Sequence, residues 1–385
     1  MKPAIEVING QCSGCFGCYN ICPYIAINMK ISEEGFYIPI INKSKCNACG
    51  RCQDICPIIS PPTLDHFQPI CYAAWSKDEK IRMTSSSGGI FSEIAKTILE
   101  DGGVIYGVIW NNNFFPIHAR ITNENDLAKV RGSKYAPSYV GYTYKMIMND
   151  LKNGKMVLFS GTPCQVAAIN NVMKVTSSSS GLYTVDIVCL GVPSLIFFQK
   201  YLRYVTKEKK VISLNLRNKE RGWSKYQVKI EFENGGLYIS PYYQDYFLTG
   251  FLSHLFLNRI CYECPFSKLP RQGDITLGDF WGAPKELHDE RGVSIVLVNS
   301  TKGKELWDSL KNVEMVYVTL NDAIRRNLRI ISGKLKKPKK REEIFDILQK
   351  AEFKEIIRIL KYEWVKEKLI NVIKSPLTII NKAIN

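Results

Sequence analysis

Apolar blocks alternate with turn and helix patterns through the middle of the chain. The segment TSSSGGIFSEIAKTILEDGG has a Ser/Gly-rich entry and helical apolar spacing, so it predicts an amphipathic helix that ends at Gly102-Gly103. GVIYGVIW predicts a buried strand, and KMVLFSGTPCQVAAIN predicts a strand, a tight loop and a helix. LYTVDIVCLGVPSLIFFQKYLRYV, DITLGDFWG and GVSIVLVNSTKGKELWDSL continue this plan. The alternation predicts an α/β domain with a mainly parallel sheet, in which Cys164, Cys189 and Asp279 follow strand ends, where open sheets bind ligands.

Other patterns flank and interrupt this domain. MKISEEGFYIPIIN predicts a short N-terminal hairpin, and residues 57–69 hold four prolines and predict a stiff linker. VISLNLRNKERGWSKYQVKIEFENGGLYIS predicts a β-rich insertion with a hairpin turn at Asn234-Gly235. The chain is lysine-rich beyond about residue 333 and has helical apolar spacing there. The apolar positions of that spacing are Ile344, Ile347, Leu348, Ile356, Ile357 and Leu360.

The 13 cysteines are unevenly distributed, and the first eight lie between positions 12 and 56. They form two copies of one unit, in which three cysteines are spaced by two residues and a fourth precedes proline. This is the bacterial ferredoxin spacing, in which each triplet binds one cubane and the fourth cysteine crosses to the other. We expect two [4Fe-4S] clusters, one on Cys12, Cys15, Cys18 and Cys56 and the other on Cys46, Cys49, Cys52 and Cys22. The alternative is zinc, which usually takes paired CxxC units and fits two triplets poorly.

Composition and charge limit the classes of partner. The 385 residues carry 52 Lys and Arg against 36 acidic residues, a net charge of +16, which suggests an anionic cofactor, partner or surface. No nucleic-acid-binding motif accompanies the basic tail, so we expect no nucleic acid. We expect no secretory signal and no transmembrane segment, hence a cytoplasmic protein. The last stretch, EWVKEKLINVIKSPLTIINKAIN, is expected to pack on its own domain, with peripheral membrane contact or a partner as alternatives.

Five cysteines remain outside the ferredoxin pattern. Cys261 and Cys264 form a CxxC pair followed by proline, and Cys164 and Cys189 each lie in a Gly/Pro loop after a strand. These four thiols could close a third [4Fe-4S] site, or Cys164 and Cys189 could be small buried apolar residues. Cys71 has no partner pattern, so we expect a structural role. The four histidines show no catalytic spacing, and no catalytic residue is assigned.

Two further segments are candidate cofactor sites. The run Ser85–Gly89 opens a helix, so its N–H groups and hydroxyls form an anion site for a pyrophosphate or simply cap the helix. The run Gly132–Tyr135 places Lys134 for a phosphate or a flavin ring, or in a solvated turn. Trp223 and Trp281 could stack on a ring system, although large aromatic residues more often belong to the core. There is no GxGxxG fingerprint and no P-loop.

Several of these segments together resemble the coenzyme F-420 hydrogenase/dehydrogenase beta-subunit family. Its members include the beta subunits of F-420-reducing hydrogenase and formate dehydrogenase, and plant 7-hydroxymethyl chlorophyll a reductase. The resemblance covers about residues 70 to 345. It rests on SSSGG (85–89), GSKYAPS (132–138), GTPCQVAA (161–168), VCLGVPS (188–194), RGW (221–223), CYECPF (261–266), DITLGDFWG (274–282) and GVSIVLVN (292–299).

The resemblance implies an iron–sulfur flavoprotein oxidoreductase with FAD beside a [4Fe-4S] cluster. It favours Cys164, Cys189, Cys261 and Cys264 as the ligands of that cluster. Leu190 departs from the family, because many members have histidine there, and this leaves the proton-transfer step open. FAD is expected in one crevice lined by Ser86, Ser87, Gly88, Gly89, Gly132, Ser133, Lys134, Tyr135, Gly161, Thr162 and Gln165.

The resemblance implies a substrate that is coenzyme F-420 or another small organic molecule, with a role in polysaccharide biosynthesis as one option, and a ferredoxin or a dehydrogenase as redox partner. The alternative is a non-catalytic electron-transfer subunit. The expected fold class is α+β. It comprises a 2[4Fe-4S] ferredoxin-type domain over 1–62, a flavin-binding α/β domain with a β-rich insertion over 70–333, and a basic helical tail over 334–385.

Overall fold

The computed structural model describes residues 3–8, 10–64, 67–176 and 180–362. The strands of this part, in chain order, are β1 (Ile27–Ile31), β2 (Tyr37–Ile41), β3 (Ile70–Ser76), β4 (Val104–Trp110), β5 (Pro116–Ile121), β6 (Val157–Gly161), β7 (Leu182–Ile187), β8 (Val211–Asn218), β9 (Gln227–Phe232), β10 (Leu237–Pro241), β11 (Ile275–Asp279), β12 (Ser294–Val298) and β13 (Val313–Val318).

The helices, in the same order, are α1 (Ala4–Val7), α2 (Gly17–Ile21), α3 (Arg51–Asp54), α4 (Glu79–Thr84), α5 (Ile90–Glu100), α6 (Leu127–Val130), α7 (Thr143–Lys152), α8 (Pro163–Thr176), α9 (Leu195–Thr206), α10 (Tyr246–Leu252), α11 (Thr301–Asp308), α12 (Leu320–Ile324) and α13 (Arg341–Lys350). Residues 353–362 are also helical.

The N-terminal region contains the predicted hairpin and three short helices. β1 and β2 pair antiparallel with Ile27 opposite Ile41, and the turn between them contains Gly35 at φ +85°. Phe16 and Ile55 share one buried core with Tyr144 and Phe159 of the following domain. Burial of each such side chain stabilises the fold by about 1.5–3 kcal/mol. The N-terminal region is therefore packed onto the rest of the molecule.

An eight-stranded mixed sheet forms the centre of the molecule, with the order β13-β3-β12-β11-β7-β6-β4-β5. Its four neighbouring strands β11, β7, β6 and β4 are parallel. The pairs β13–β3, β3–β12, β12–β11 and β4–β5 are antiparallel. The expected mainly parallel sheet is therefore wrong. The chain reverses directly between β4 and β5 and between β11 and β12, without the crossover helix that a parallel neighbour needs.

The predicted β-rich insertion is a second, three-stranded antiparallel sheet. Its order is β10-β9-β8, and Gly235, at φ +79°, lies in the turn between β9 and β10. The insertion shares a core with α9 and α10, in which the rings of Phe197 and Phe247 stack at 5.4 Å between centroids. Phe345 of α13 belongs to the same core.

The C-terminal helical residues cover this core. Of the six predicted apolar positions, Ile344, Leu348, Ile356, Ile357 and Leu360 are buried there. Ile347 lies in the same helix but is 37% exposed. The stretch that begins at Glu363, and with it the question of membrane contact, lies outside the described residues. In the ranges that the structure covers, no helix combines the length and apolar character that crossing a membrane requires.

Candidate functional site

Four N-terminal cysteines lie close enough together for their charges to interact, and we call them the inner set: Cys12, Cys15, Cys18 and Cys56. The loop before α2 and the first turn of α2 supply three of them, and Cys56 follows α3. Burial raises the pKa of Cys12 to about 11 and that of Cys15 to about 12, and the neighbouring Cys56 thiol adds to both shifts. Cys56 is thus a direct neighbour of the first triplet, although it follows the second triplet in the chain.

The other four N-terminal cysteines, Cys22, Cys46, Cys49 and Cys52, line one cavity and form the outer set. Backbone N–H groups point at two of these sulfurs, with Ala26 N 3.3 Å from Cys22 Sγ and Ala4 N 3.4 Å from Cys52 Sγ. Such N–H donors stabilise negative charge on sulfur and tune the potential of a bound cluster.

The four later cysteines also converge, and we call them the dispersed set: Cys164, Cys189, Cys261 and Cys264. Cys164 begins α8 after β6, Cys189 follows β7, and the other two flank the end of the 3₁₀ turn Arg259–Tyr262. Burial and the neighbouring Cys264 raise the pKa of the Cys189 thiol to about 11. Four thiolates brought together, with Cys261 buried and the other three partly buried, need compensating positive charge.

Part of that charge comes from Arg329, which the sequence analysis missed. Its Nε donates to the carbonyl oxygen of Cys189 at 3.0 Å. Its positive charge opposes the upward pKa shift that burial causes at Cys189 and Cys261. Val192 N donates to Cys261 Sγ at 3.4 Å. No local motif marks Arg329, which lies 65 residues after Cys264 in the chain.

Gly333 brings a distant segment against the CxxC turn. Cys264 N donates to the carbonyl oxygen of Gly333 at 3.0 Å. A Cβ on Gly333 would lie 1.9 Å from the carbonyl oxygen of Cys264, so glycine is required by this close approach.

The inner and dispersed sets are neighbours. The charges of Cys15 and Cys164 influence each other, and the buried ring of Tyr144 lies between their loops. The Tyr144 hydroxyl is 2.8 Å from the carbonyl oxygen of Cys15 and 3.1 Å from that of Gln165. One side chain thus joins the loop of the first triplet to the first turn of α8.

The cysteine sets differ from a binding site for a single metal ion. Within the described ranges, no group of three or more His, Cys, Asp or Glu side chains is arranged to hold one ion. A cubane spreads its four thiolates around several irons, so its ligands lie further apart than those of one ion.

The three candidate flavin segments are joined by hydrogen bonds. Ser133 N donates to Ser86 Oγ at 2.8 Å, which links the run Gly132–Tyr135 to the run Ser85–Gly89. Gln165 Nε2 donates to Ser138 Oγ at 2.9 Å, and Thr162 N donates to Gln165 Oε1 at 2.9 Å. The segment after α6 therefore bridges the entry of α5 and the loop after β6.

Several polar groups of the α5 entry point inward and bond to the protein itself. Ser87 Oγ donates to the carbonyl oxygen of Val293 at 2.8 Å, and Gly88 N donates to Ser294 Oγ at 3.0 Å. A Cβ on Gly88 would lie 2.4 Å from the carbonyl oxygen of Ala74. Gly88 is thus required by the packing of this loop on β3 and β12, independently of any phosphate.

Lys134 also has protein partners. Its Nζ donates to the carbonyl oxygens of Lys129, Arg131 and Gly132 at 2.9, 2.7 and 3.2 Å. Burial and the nearby Arg131 charge lower the pKa of Lys134 to about 7. Its ammonium group holds the end of α6 and the following turn together. The ring of Tyr135 packs against that of Phe251, with 4.9 Å between the ring centroids.

A buried group of charged and aromatic side chains lies beside these loops. Arg217 Nη2 is 3.1 Å from Asp279 Oδ1 and 3.2 Å from the carbonyl oxygen of Ser86. Trp223 Nε1 donates to the same Asp279 oxygen at 2.8 Å, and the rings of Trp223 and Trp281 stack on each other at 4.5 Å. The sequence pointed to Asp279 and both tryptophans but not to Arg217, which sits in an ordinary strand without a motif.

Other candidate residues have structural surroundings. Cys71 is buried in β3, and Leu190 packs against the core around Cys261. His118 is buried and stacks on Phe159, and burial lowers its pKa to about 4. His288 is exposed and lies 3.1 Å from a Glu290 oxygen. His66 lies outside the described residues.

Comparison with known proteins gives matches along most of the chain. The family model described as coenzyme F-420 hydrogenase/dehydrogenase, beta subunit N-term, matches residues 71–142, and the model of its C terminus matches residues 154–325. A 4Fe-4S dicluster domain matches residues 11–58. A search of the curated proteins finds no match.

One similar solved structure is that of the F-420-reducing [NiFe] hydrogenase complex from Methanosarcina barkeri, studied with xenon. The matched chain is 19% identical, with a TM-score of 0.49, over 71% of this chain and 91% of that chain.

Proposed function

Because this chain belongs to the coenzyme F-420 hydrogenase/dehydrogenase beta-subunit family and carries a 4Fe-4S dicluster domain, we propose that it is an iron–sulfur flavoprotein oxidoreductase. Family membership and the dicluster domain establish an iron–sulfur subunit of the oxidoreductase type. The proposal adds FAD, a third cluster on the dispersed set, and hydride exchange with coenzyme F-420 or another organic substrate.

The donor sets fit iron–sulfur clusters. The inner and outer sets each bring four thiols together, and the dispersed set does the same with one buried thiol, three partly buried thiols and one buried arginine. When bound, a [4Fe-4S] cluster supplies a site that takes up or releases one electron at a time. The protein supplies N–H donors to sulfur, exclusion of water from the inner and dispersed sets, and fixed spacing through Tyr144.

The single observation that carries the proposal is the position of the dispersed set. Two of its thiols, Cys164 and Cys189, follow the carboxyl ends of β6 and β7, and Cys164 is next to Cys15 of the inner set. The bridge from Gln165 to Ser138 and from Ser133 to Ser86 begins one residue after Cys164. Carboxyl ends of parallel strands are where open sheets bind ligands. A flavin on these loops would lie close to the dispersed set.

The groups around these loops suit an anionic cofactor. Arg217 is buried, and its Nε has no hydrogen-bond partner among the residues that the structure describes. Lys219 Nζ donates to the carbonyl oxygens of Arg82 and Ser87 at 2.8 and 2.7 Å. These cations hold the α5 entry in place and make its surroundings positive. Among the proposed flavin contacts, Ser86, Ser133 and Thr162 carry hydroxyl groups and lie where these loops meet. The flavin, when bound, supplies two-electron hydride chemistry that can be divided into one-electron steps.

The test is flavin analysis of anaerobically purified protein, followed by reduction of that flavin with chemically reduced coenzyme F-420. We expect FAD in the heat-released supernatant, and at least about a tenfold loss of retained FAD in Ser86→Ala combined with Thr162→Ala. Ser44→Ala in an exposed turn is the matched control and should retain FAD.

A preparation with intact clusters and no flavin would overturn the flavoprotein proposal. The chain would then be the alternative, a non-catalytic electron-transfer subunit for a partner dehydrogenase. A flavin that is present but not reduced by F-420 would leave the flavoprotein in place and exclude F-420 as the substrate.

A further inference from the structure

The outer set is the least covered part of the cysteine framework. All 13 cysteines lie in the described part of the chain, and Cys49 is the one that is exposed. In contrast, Cys15 and Cys56 of the inner set and Cys261 of the dispersed set are buried. An external electron carrier reaches a bound group only where the protein cover is thin, so the Cys49 end is where such a carrier would approach.

This end carries a local excess of positive charge. The segment 42–51, NKSKCNACGR, surrounds Cys49 with Lys43, Lys45 and Arg51, all exposed, and contains no acidic residue. Arg51 lines the same cavity as the outer set. The exposed carboxylates of the N-terminal region lie outside this segment, at Glu6, Glu33 and Asp54. A carrier with negative charge around its own redox group would be attracted to this face.

Two exposed apolar side chains adjoin the same cavity. Tyr24, which lines it, is 47% exposed, and Ile25 is 56% exposed. Ile25 also has φ +49°, a left-handed conformation that is costly for a β-branched residue. The turn at Ile25 brings Ala26 N to Cys22 Sγ, which accounts for the backbone conformation, but glycine would serve that turn without exposing an apolar side chain. A residue of this kind at an exposed face favours a contact with another molecule.

We propose that this face, formed by Tyr24, Ile25, Lys43, Lys45 and Arg51 around Cys49, docks a small acidic one-electron carrier protein of the ferredoxin type. Apolar contact at Tyr24 and Ile25 forms the centre of the interface, and the three cations form its rim. Rim charges of this kind accelerate association and make it depend on salt. The inference rests on the proposed function, because it takes the outer set as a cluster site. In each encounter the carrier is oxidised by one electron and this protein is reduced by one.

The first test is equilibrium binding of an oxidised acidic 2[4Fe-4S] ferredoxin to the anaerobically purified holoprotein, by calorimetry. We expect the Kd to rise at least about tenfold between about 20 mM and about 300 mM salt. Lys43→Glu, Lys45→Glu and Arg51→Glu together should raise the Kd at low salt at least about tenfold and remove most of its salt dependence.

The matched control makes the same charge change elsewhere. Lys207, Lys209 and Lys225 are exposed lysines in or beside the β-rich insertion, and their replacement by glutamate should change the Kd less than about threefold. If both triple variants weaken binding equally, only the net charge of the chain matters, and the docking face is wrong.

Ile25→Gly separates docking from folding. Glycine adopts the left-handed backbone without strain, so the thermal midpoint should stay the same or rise, while the Kd for the ferredoxin should rise at least about threefold. A variant that binds as well as the wild type would remove Ile25 from the interface.

Failure of the docking proposal is distinguishable from failure of the proposed function. Dithionite reduction and iron analysis of the same samples report whether the clusters are present. Intact, reducible clusters with no ferredoxin binding, or with binding that does not depend on salt, would overturn the docking face alone. Missing clusters would overturn the proposed function.

Discussion

The eight N-terminal cysteines and the four dispersed ones reach the same kind of arrangement in opposite ways. The N-terminal eight lie between positions 12 and 56, and their spacing alone predicts which of them are neighbours. The dispersed four extend from Cys164 to Cys264, and β6, β7 and a 3₁₀ turn bring them together. A sequence pattern therefore predicts the ligands only where their spacing along the chain sets the geometry of the site.

The two regions also differ in their surroundings. The dispersed set is more enclosed than the outer set, since none of its four cysteines is exposed and Arg329 lies between the backbone carbonyls of Cys189 and Cys261. The outer N-terminal set opens to solvent at Cys49. The inner set lies between them and packs into the core of the larger domain through Phe16. The enclosed region is suited to exchange with a neighbouring cofactor, and the open one to exchange with another protein.

The largest expected effect comes from removing the dispersed set. Cys261→Ser with Cys264→Ser should lower the iron content by about four atoms per chain and leave the N-terminal clusters intact, because the two regions use separate ligands. Iron analysis and EPR after dithionite reduction measure this.

Cys71→Ser is the matched control, since Cys71, like Cys261, is buried but belongs to no set. Its iron content should equal that of the wild type. Unchanged iron in the double variant would mean that the dispersed thiols hold no cluster, and the comparison between the two regions would fail.

The second prediction sharpens the N-terminal side of the comparison. Cys22→Ser should damage the cluster of the second triplet, and Cys56→Ser that of the first, because each of these cysteines lies beside the other unit's triplet. EPR should show the loss of a different signal in each variant. If each variant lost the cluster of its own triplet, the crossed arrangement would be wrong.

The third prediction concerns the core that joins the two regions, in which His118 stacks on Phe159. Burial lowers the pKa of His118 to about 4 from an ordinary value near 6.5, so the unfolded chain binds more protons between these values. Stability contributed by the neutral ring is therefore present above about pH 6.5 and is lost as the pH falls. The free energy of unfolding should drop by about 2 kcal/mol from this group between pH 7 and pH 5.

Anaerobic denaturation midpoints of the wild type and of His118→Gln at both pH values isolate this contribution. The variant should lose less stability on acidification than the wild type. Equal losses would show that His118 is accessible to protons in the folded protein.

The smallest expected effect is at the contact between the inner and dispersed sets. Tyr144→Phe removes the hydroxyl that reaches the carbonyl oxygens of Cys15 and Gln165, and should lower the free energy of unfolding by about 1–2 kcal/mol. All clusters should remain, because no ligand changes. Full loss of the inner cluster in this variant would mean that the two regions form one unit that cannot be divided.

Much of the fold is readable from the sequence, because it depends on local patterns. The predicted elements α5, β4, β6, α8, β7, α9, β11, β12 and α11 follow the apolar spacing, and the insertion and its Asn234-Gly235 turn follow turn chemistry. No sequence prediction covered β5, α6, α7 and α10. The mixed sheet was missed because alternating strand and helix patterns do not show where the chain reverses without a crossover.

The candidate site was only partly predictable for a related reason. The Ser/Gly run and the lysine turn were identified, but the partners of Ser87, Gly88 and Lys134 lie in segments whose positions tertiary packing decides. Arg217 and Arg329 have no motif, since a buried cation is placed by the fold and not by its sequence neighbours.

The most direct test of the central claim is the iron, acid-labile sulfide and flavin content of one anaerobic preparation of the wild-type chain. Three cysteine sets and one flavin site predict about twelve irons, about twelve sulfides and about one FAD per chain. About eight irons would reduce the account to the N-terminal region, and stoichiometric zinc with little iron would contradict it.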